Sequence, residues 1–137
     1  MEKRFWFRRA ANFLNLSTPL GLLLAAAGGA TLRPGPDGLV LAFGYRHRFP
    51  IAGAFTVGNV VLTRRDALSE RLILHESRHA TQWAWCGGLP MLPLYLLAML
   101  VSVAVCGHQA SYNVFERLAG LDDGGYPREP LRWRRPG

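Results

Sequence analysis

The segment His75-Glu76-Ser77-Arg78-His79 constrains this 137-residue chain more than any other. Two histidines four apart on a helix stand one turn above the other on the same face, where both imidazoles can share one tetrahedral cation. A fold that uses the pair this way must place a helix here and bring a third ligand back to that face. Glu76 is offset from the histidine line, so it reaches a metal-bound water rather than the metal. Its expected role is general base toward that water and then proton donor to the leaving group. Given the His and Glu content of the chain, an HExxH arises by chance in roughly half a percent of such sequences. The competing reading, two helical histidines satisfied by hydrogen bonds, is further disfavoured because the motif falls mid-helix after a strand and a cap.

A catalytic zinc site needs a third protein ligand and an open fourth position. His108, Glu116, Asp122 and Asp123 are the downstream candidates. Glu116 is chosen because it begins a helix-forming stretch, Asn113-Val114-Phe115-Glu116-Arg117, and is the only glutamate between the motif and the tail. His108 is the runner-up. Reach supports the choice: a helix folding back over the motif helix at about 1.5 Å per residue passes the histidines, and residues 107–113 return the chain to them. The same reasoning bears on the apolar run 89–106. A full membrane crossing there would leave Glu116 about 30 Å from His79, across the bilayer. The zinc reading therefore makes the run a hairpin helix, buried or dipped into one leaflet. Around the ligands, Gln82 lies three residues after His79 on the metal face and can orient a ligand. Tyr95, Tyr112 and Tyr126 are possible oxyanion donors.

Upstream, Arg33-Pro34-Gly35-Pro36-Asp37-Gly38 reads as a turn-rich break. Stretches 39–43, 45–49 and 56–62, rich in Val, Phe, Tyr and Leu, read as short strands. Thr63-Arg64-Arg65-Asp66 has capping-box spacing, which predicts the motif helix over about 66–86, stopped by Gly87-Gly88-Leu89-Pro90. An apolar helix is expected at about 92–105 and a third from Tyr112 to Gly120. The fold class is α+β: a small antiparallel sheet packed on the HExxH helix, an apolar helical hairpin and a C-terminal ligand helix, in a minimal zincin-like arrangement.

Half of the residues are apolar and the formal charge is +7. Lys3, Arg4, Arg8 and Arg9 open the chain among Phe5, Trp6 and Phe7, while Arg128, Arg132, Arg134 and Arg135 close it around Trp133. Cations interleaved with large aromatics suit an anionic membrane surface. No reader motif accompanies the charge, so nucleic acid is not an expected partner. Residues 1–30 outline a secretory signal, but the long basic-aromatic lead and the helix start at Ser17, Thr18 and Pro19 favour another reading. They are taken as a membrane-associating segment, an interfacial helix and then a short buried one, ahead of a zincin-like domain over 31–137. The expected location is a membrane surface on its cytoplasmic face. Cys86 and Cys106 are expected to be free thiols. The sequence leaves the oligomeric state open.

The stretches Val57-Gly58-Asn59-Val60-Val61-Leu62, Leu74-His75-Glu76-Ser77-Arg78-His79-Ala80-Thr81-Gln82-Trp83, Leu92-Pro93-Leu94-Tyr95-Leu96-Leu97 and Asn113-Val114-Phe115-Glu116-Arg117 resemble a family of small bacterial HExxH, gluzincin-like proteins. The resemblance spans about residues 55–120. It implies zinc held by His75, His79 and Glu116, and a strand edge beside the motif helix on which an extended peptide pairs. Many gluzincins carry an aspartate four residues after the ligand glutamate, where it orients a histidine. That position is Gly120 here, so the orienting partner is either missing or supplied by Asp122 or Asp123. The expected function is a membrane-associated zinc metallopeptidase. A non-catalytic zinc-binding module at the membrane surface is the alternative, as is a zinc hydrolase of a non-peptide amide or ester.

Overall fold

A computed structural model describes residues 1–48 and 53–136, and among the described residues it has five α-helices and four short strands. The chain opens with α1 (Lys3–Leu14) and α2 (Ser17–Ala27), which meet at 72°. The bend is made by Leu16, whose φ of 70° lies in the left-handed region, sparsely populated for residues with a side chain. Asn15 stabilises the corner, its Oδ1 accepting from Ser17 N at 3.0 Å and from Ser17 Oγ at 2.6 Å. Thr18 does not cap α2. Its hydroxyl accepts instead from Asn59 N at 3.0 Å and ties the helix to the sheet.

The sheet is mixed, where an antiparallel one is expected from the sequence. Strands β1 (Thr31–Pro34), β2 (Val40–Phe43), β3 (Phe55–Val57) and β4 (Val60–Leu62) lie in the order β1-β2-β4-β3. The β1–β2 and β3–β4 pairs are antiparallel, and β2–β4 is parallel. Three strand expectations change. Stretch 56–62 is a hairpin, because Gly58 takes φ 63° in a two-residue turn with Asn59, the chemistry of a type II′ turn. A Cβ on Gly58 would also run into the backbone of Thr18. Arg33 and Pro34 belong to the edge strand β1, where the missing proline N–H goes unused. Residues 45–48 form no strand, and the rest of that predicted strand lies outside the described residues.

Strand β4 is central, and all three of its residues are buried. Val60 and Leu62 join Ala25 of α2 in one core cluster, while Val61 joins Leu72 and Ala80 of the next helix in another. That alternation is the period of a strand covered on both faces.

The motif helix α3 (Glu70–Trp85) starts four residues later than its predicted 66. Its cap is Ser69, whose hydroxyl accepts from Leu72 N at 3.2 Å, rather than the Thr63–Asp66 box. On its back lies α1, locked by the buried Arg8 and Asn12. Arg8 donates to Ser77 O at 2.9 Å and to Asp37 O at 2.7 Å, and Asn12 donates to Ala80 O at 2.9 Å. Arg8 is thus a structural cation, withdrawn from the basic cluster, and α1 is built into the same body as the motif helix.

Helices α4 (Met91–Cys106) and α5 (Val114–Ala119) complete the chain. Of the two expectations for this helix, buried in a hairpin or dipped into one leaflet, the buried one is not met, because α4 buries only Met91, Ser102 and Cys106. No helix among the described residues is long and apolar enough to cross a membrane by itself. Cys86 and Cys106 are both free.

Candidate metal centre

Two helices converge on one point. Helix α3 presents His75 and His79 one turn apart, with ring centroids 4.7 Å from each other. Helix α5 presents Glu116 from its first turn, positioned by Asn113, whose Oδ1 accepts from Phe115 N at 3.0 Å. Glu116 Oε1 lies 3.2 Å from His75 Nε2 and closer still to His79 Nε2, and the two Nε2 atoms are 3.1 Å apart. The one ligand atom that each of the three offers falls within 4.8 Å of the others, and all three side chains are buried.

The protons of this cluster decide what it is. His75 Nδ1 donates to Gly120 O at 2.8 Å, and His79 Nδ1 donates to Gln82 Oε1 at 2.7 Å. With a proton on each Nδ1, each Nε2 directs a lone pair at Glu116 Oε1, and that buried oxygen has no hydrogen-bond donor. Three lone-pair atoms facing one another out of contact with water are repulsive unless a cation sits among them. Two neutral imidazoles and a carboxylate, each imidazole fixed by a hydrogen bond on its far side, are the donor set of a divalent metal site. The residues fit a metal ion.

Without a metal, one extra proton serves the same purpose. Burial alone would lower His79, but its hydrogen bond to Glu116 and the Glu116 charge outweigh burial and hold it up at about 9. Glu116 is held well below the carboxylate range, because the two histidines outweigh its burial. An ion pair and a metal site are thus two loadings of one cluster.

The partners of the ligands come partly from the expected residues. Gln82 lies at the centre: besides holding His79, its Nε2 donates to Phe115 O at 2.9 Å, which ties α3 to the turn that carries Glu116. Asp122 and Asp123 do not orient a histidine. Asp123 accepts from Arg71 at 2.9 Å and Arg78 at 3.1 Å, and Asp122 pairs with Arg128 at 3.4 Å. His75 is oriented instead by Gly120, acting through its carbonyl. At φ 96° it ends α5 and turns that oxygen toward His75. Gly124 then packs on the His75 ring so closely that a Cβ there would sit 2.5 Å from Cε1. His108 is not a ligand; its Nδ1 accepts from Ala110 N at 3.1 Å in the turn after α4. Tyr112 lies under the Arg117 guanidinium, 4.7 Å from it, rather than against the histidines.

The tyrosines at the cluster are Tyr95 and Tyr126. Tyr95 OH donates to Glu116 Oε2 at 3.1 Å and so satisfies the oxygen that the histidines do not face. Tyr126 stands 5.9 Å from the His75 ring. Burial and the Glu116 and Glu76 charges push its phenol up, so it stays a donor.

Glu76 is buried, and its Oε2 accepts from Thr56 Oγ1 of β3 at 2.6 Å. Trp83 Nε1 donates to Thr56 O at 2.8 Å and fixes the strand to the helix. Burial pushes the Glu76 carboxyl up, while His79 and the Thr56 hydroxyl pull it down. Glu76 borders an open cleft of about 600 Å³, together with Gly53, Ala54, Arg65, Arg71, Gly124 and Tyr126. Thr56 and the Gly120 carbonyl escape the sequence reading. A threonine in a strand carries no motif, and a backbone acceptor has no side chain to notice.

Comparison of the chain with protein-family models, with curated proteins and with solved structures finds no match.

Proposed function

We propose that this protein is a zinc-dependent hydrolase of the gluzincin-like kind, acting on peptide bonds. The reading is carried by one observation: a carboxylate that is not a ligand, Glu76, lies in the wall of the cleft beside the His75–His79–Glu116 group. A purely structural site has no need of a buried base next to its first histidine. Zinc suits two imidazoles and a carboxylate, and when bound it supplies a Lewis acid that polarises a carbonyl and lowers the pKa of a coordinated water toward about 7.

The residues of the chain divide the remaining work. Thr56 holds Glu76 Oε2, which leaves Oε1 to take the proton of the attacking water and to pass it to the leaving amine. Tyr126, kept protonated, is the donor for the oxyanion that develops on the substrate carbonyl. Gly120 and Gln82 keep both imidazoles aimed with Nε2 inward. The peptide assignment is supported by the sheet: β3 is an outer strand, and the Gly53 and Ala54 that lead into it border the cleft. An extended chain can lie along such an edge.

The test is the pair wild type and Glu76→Gln, both loaded with zinc and offered a mixed peptide library with mass-spectrometric readout. The proposal expects equal zinc content and loss of at least a hundredfold in cleavage for Glu76→Gln. Equal cleavage by the two proteins, or none by the zinc-loaded wild type, would sink it and leave a metal-stabilised module.

A further inference from the structure

Helix α4 is apolar on every side, a character that belongs in a protein core or a membrane, yet only three of its sixteen residues are buried. Leu96, Leu97, Leu100 and Val101 are each about half exposed or more. The apolar surface continues beyond the helix. Gly88, in the turn before α4, packs directly on Asn15 at the α1–α2 corner. That contact brings together four exposed residues from the two corners, Leu14, Leu16, Trp85 and Leu89, with Leu14 and Trp85 at 84% and 86% exposure. Residues 10–32 and 80–115, which build this surface, contain no Asp, Glu, Lys or Arg.

The other end of α4 is cationic. Arg132 donates to Ala104 O at 3.0 Å and to Val103 O at 3.1 Å, and the Arg135 guanidinium donates to Cys106 O. The tail is therefore fastened to the C-terminus of the apolar helix, with Arg134 and Trp133 exposed between those two anchors.

We propose that this face is a docking surface for an anionic lipid bilayer. In it, α4 and the paired corners lie at the boundary of headgroups and acyl chains, and the 132–135 cluster meets lipid phosphates. Apolar helix, exposed tryptophans and a terminal arginine cluster are what a monotopic surface needs. A second copy of the chain is a poor occupant. The two apolar segments offer no acid to meet the arginines, and the chain carries a net +7. A phosphate layer supplies the missing counter-charge. Docking would bring the metal group close to the lipid surface, because Tyr95 of α4 is bonded to Glu116.

The experiment is sedimentation of the full chain with vesicles of phosphatidylcholine alone and of phosphatidylcholine mixed with phosphatidylglycerol. Quenching of tryptophan by acyl-chain bromine reports depth. No step depends on metal or activity, so the outcome is independent of the hydrolase reading. Binding to the mixed vesicles with tryptophan quenching is expected. Arg134→Gln, at a residue with no bond to α4, should weaken it about fivefold. Leu97→Asp, at an exposed site, should weaken it about tenfold or more with an unchanged circular dichroism spectrum. Failure to bind the mixed vesicles would overturn the proposal, and so would undiminished binding by Leu97→Asp. A vesicle-free dimer that Leu97→Asp dissolves would overturn it in favour of a second copy.

Discussion

Replacing Gln82 by alanine separates the metal centre from the rest of the fold. Its amide makes two bonds with opposite ends: Oε1 accepts from His79 Nδ1 at 2.7 Å, and Nε2 donates to Phe115 O at 2.9 Å. The first fixes which nitrogen of His79 faces the ion, and the second fixes the turn before Glu116. Losing an orienting partner of this kind weakens metal binding about 10- to 100-fold, or about 1.4–2.8 kcal/mol. In the metal-free protein the loss is two part-buried hydrogen bonds, about 1–2 kcal/mol, which lowers Tm by roughly 3–8 °C for a domain of this size. With zinc in excess, the weaker affinity adds its own 1.4–2.8 kcal/mol or so by mass action. The assay is thermal unfolding of wild type and Gln82→Ala, each with and without saturating zinc, beside a chelator-competition titration. The account expects the Tm gap between the two proteins to widen by about a factor of two when zinc is present. An equal gap in both conditions, with unchanged zinc affinity, would refute the claim that Gln82 acts on the ligands.

Two other consequences concern protons. In the metal-free protein, His79 is held up at about 9, above its ordinary value, so its ion pair with Glu116 stabilises fully below about pH 6.5 and is lost as pH rises through 9. Metal-free Tm should therefore fall between about pH 6.5 and 9, and zinc affinity should rise about tenfold per pH unit over that range, because the ion displaces that proton; a pH-independent affinity would contradict this. Thr56→Val removes the 2.6 Å bond that pulls the Glu76 carboxyl down, so Glu76 should rise further. The acid limb of the rate profile should then move to higher pH, with zinc content unchanged.

The legible part of the molecule is the part whose signal is local. Two histidines four apart and a glutamate in a helix-forming stretch are written in short windows, and the structure brings those three side chains together. The sequence misleads where the answer depends on pairing at a distance. Whether β2 runs parallel to β4 depends on the connection through the β3–β4 hairpin, and no residue in either strand encodes that direction. Gly58-Asn59 is a different case: a two-residue turn signal sits inside an apolar run that reads as one strand. The partners of the histidines divide the same way. Gln82 is found by helical spacing, whereas the Gly120 carbonyl becomes a partner only because φ 96° turns it inward. The apolarity of α4 is plain in the sequence, but apolarity alone does not distinguish a buried helix from one left facing outward.

The central claim is that His75, His79 and Glu116 hold one zinc ion. X-ray absorption at the zinc K edge of the zinc-loaded protein tests it without recourse to activity. The expected spectrum is a shell of nitrogen and oxygen at about 2.0–2.1 Å, with outer-shell scattering from two imidazoles that falls to one in His79→Ala. Sulfur in the first shell, at about 2.3 Å, or an imidazole count untouched by His79→Ala, would contradict it.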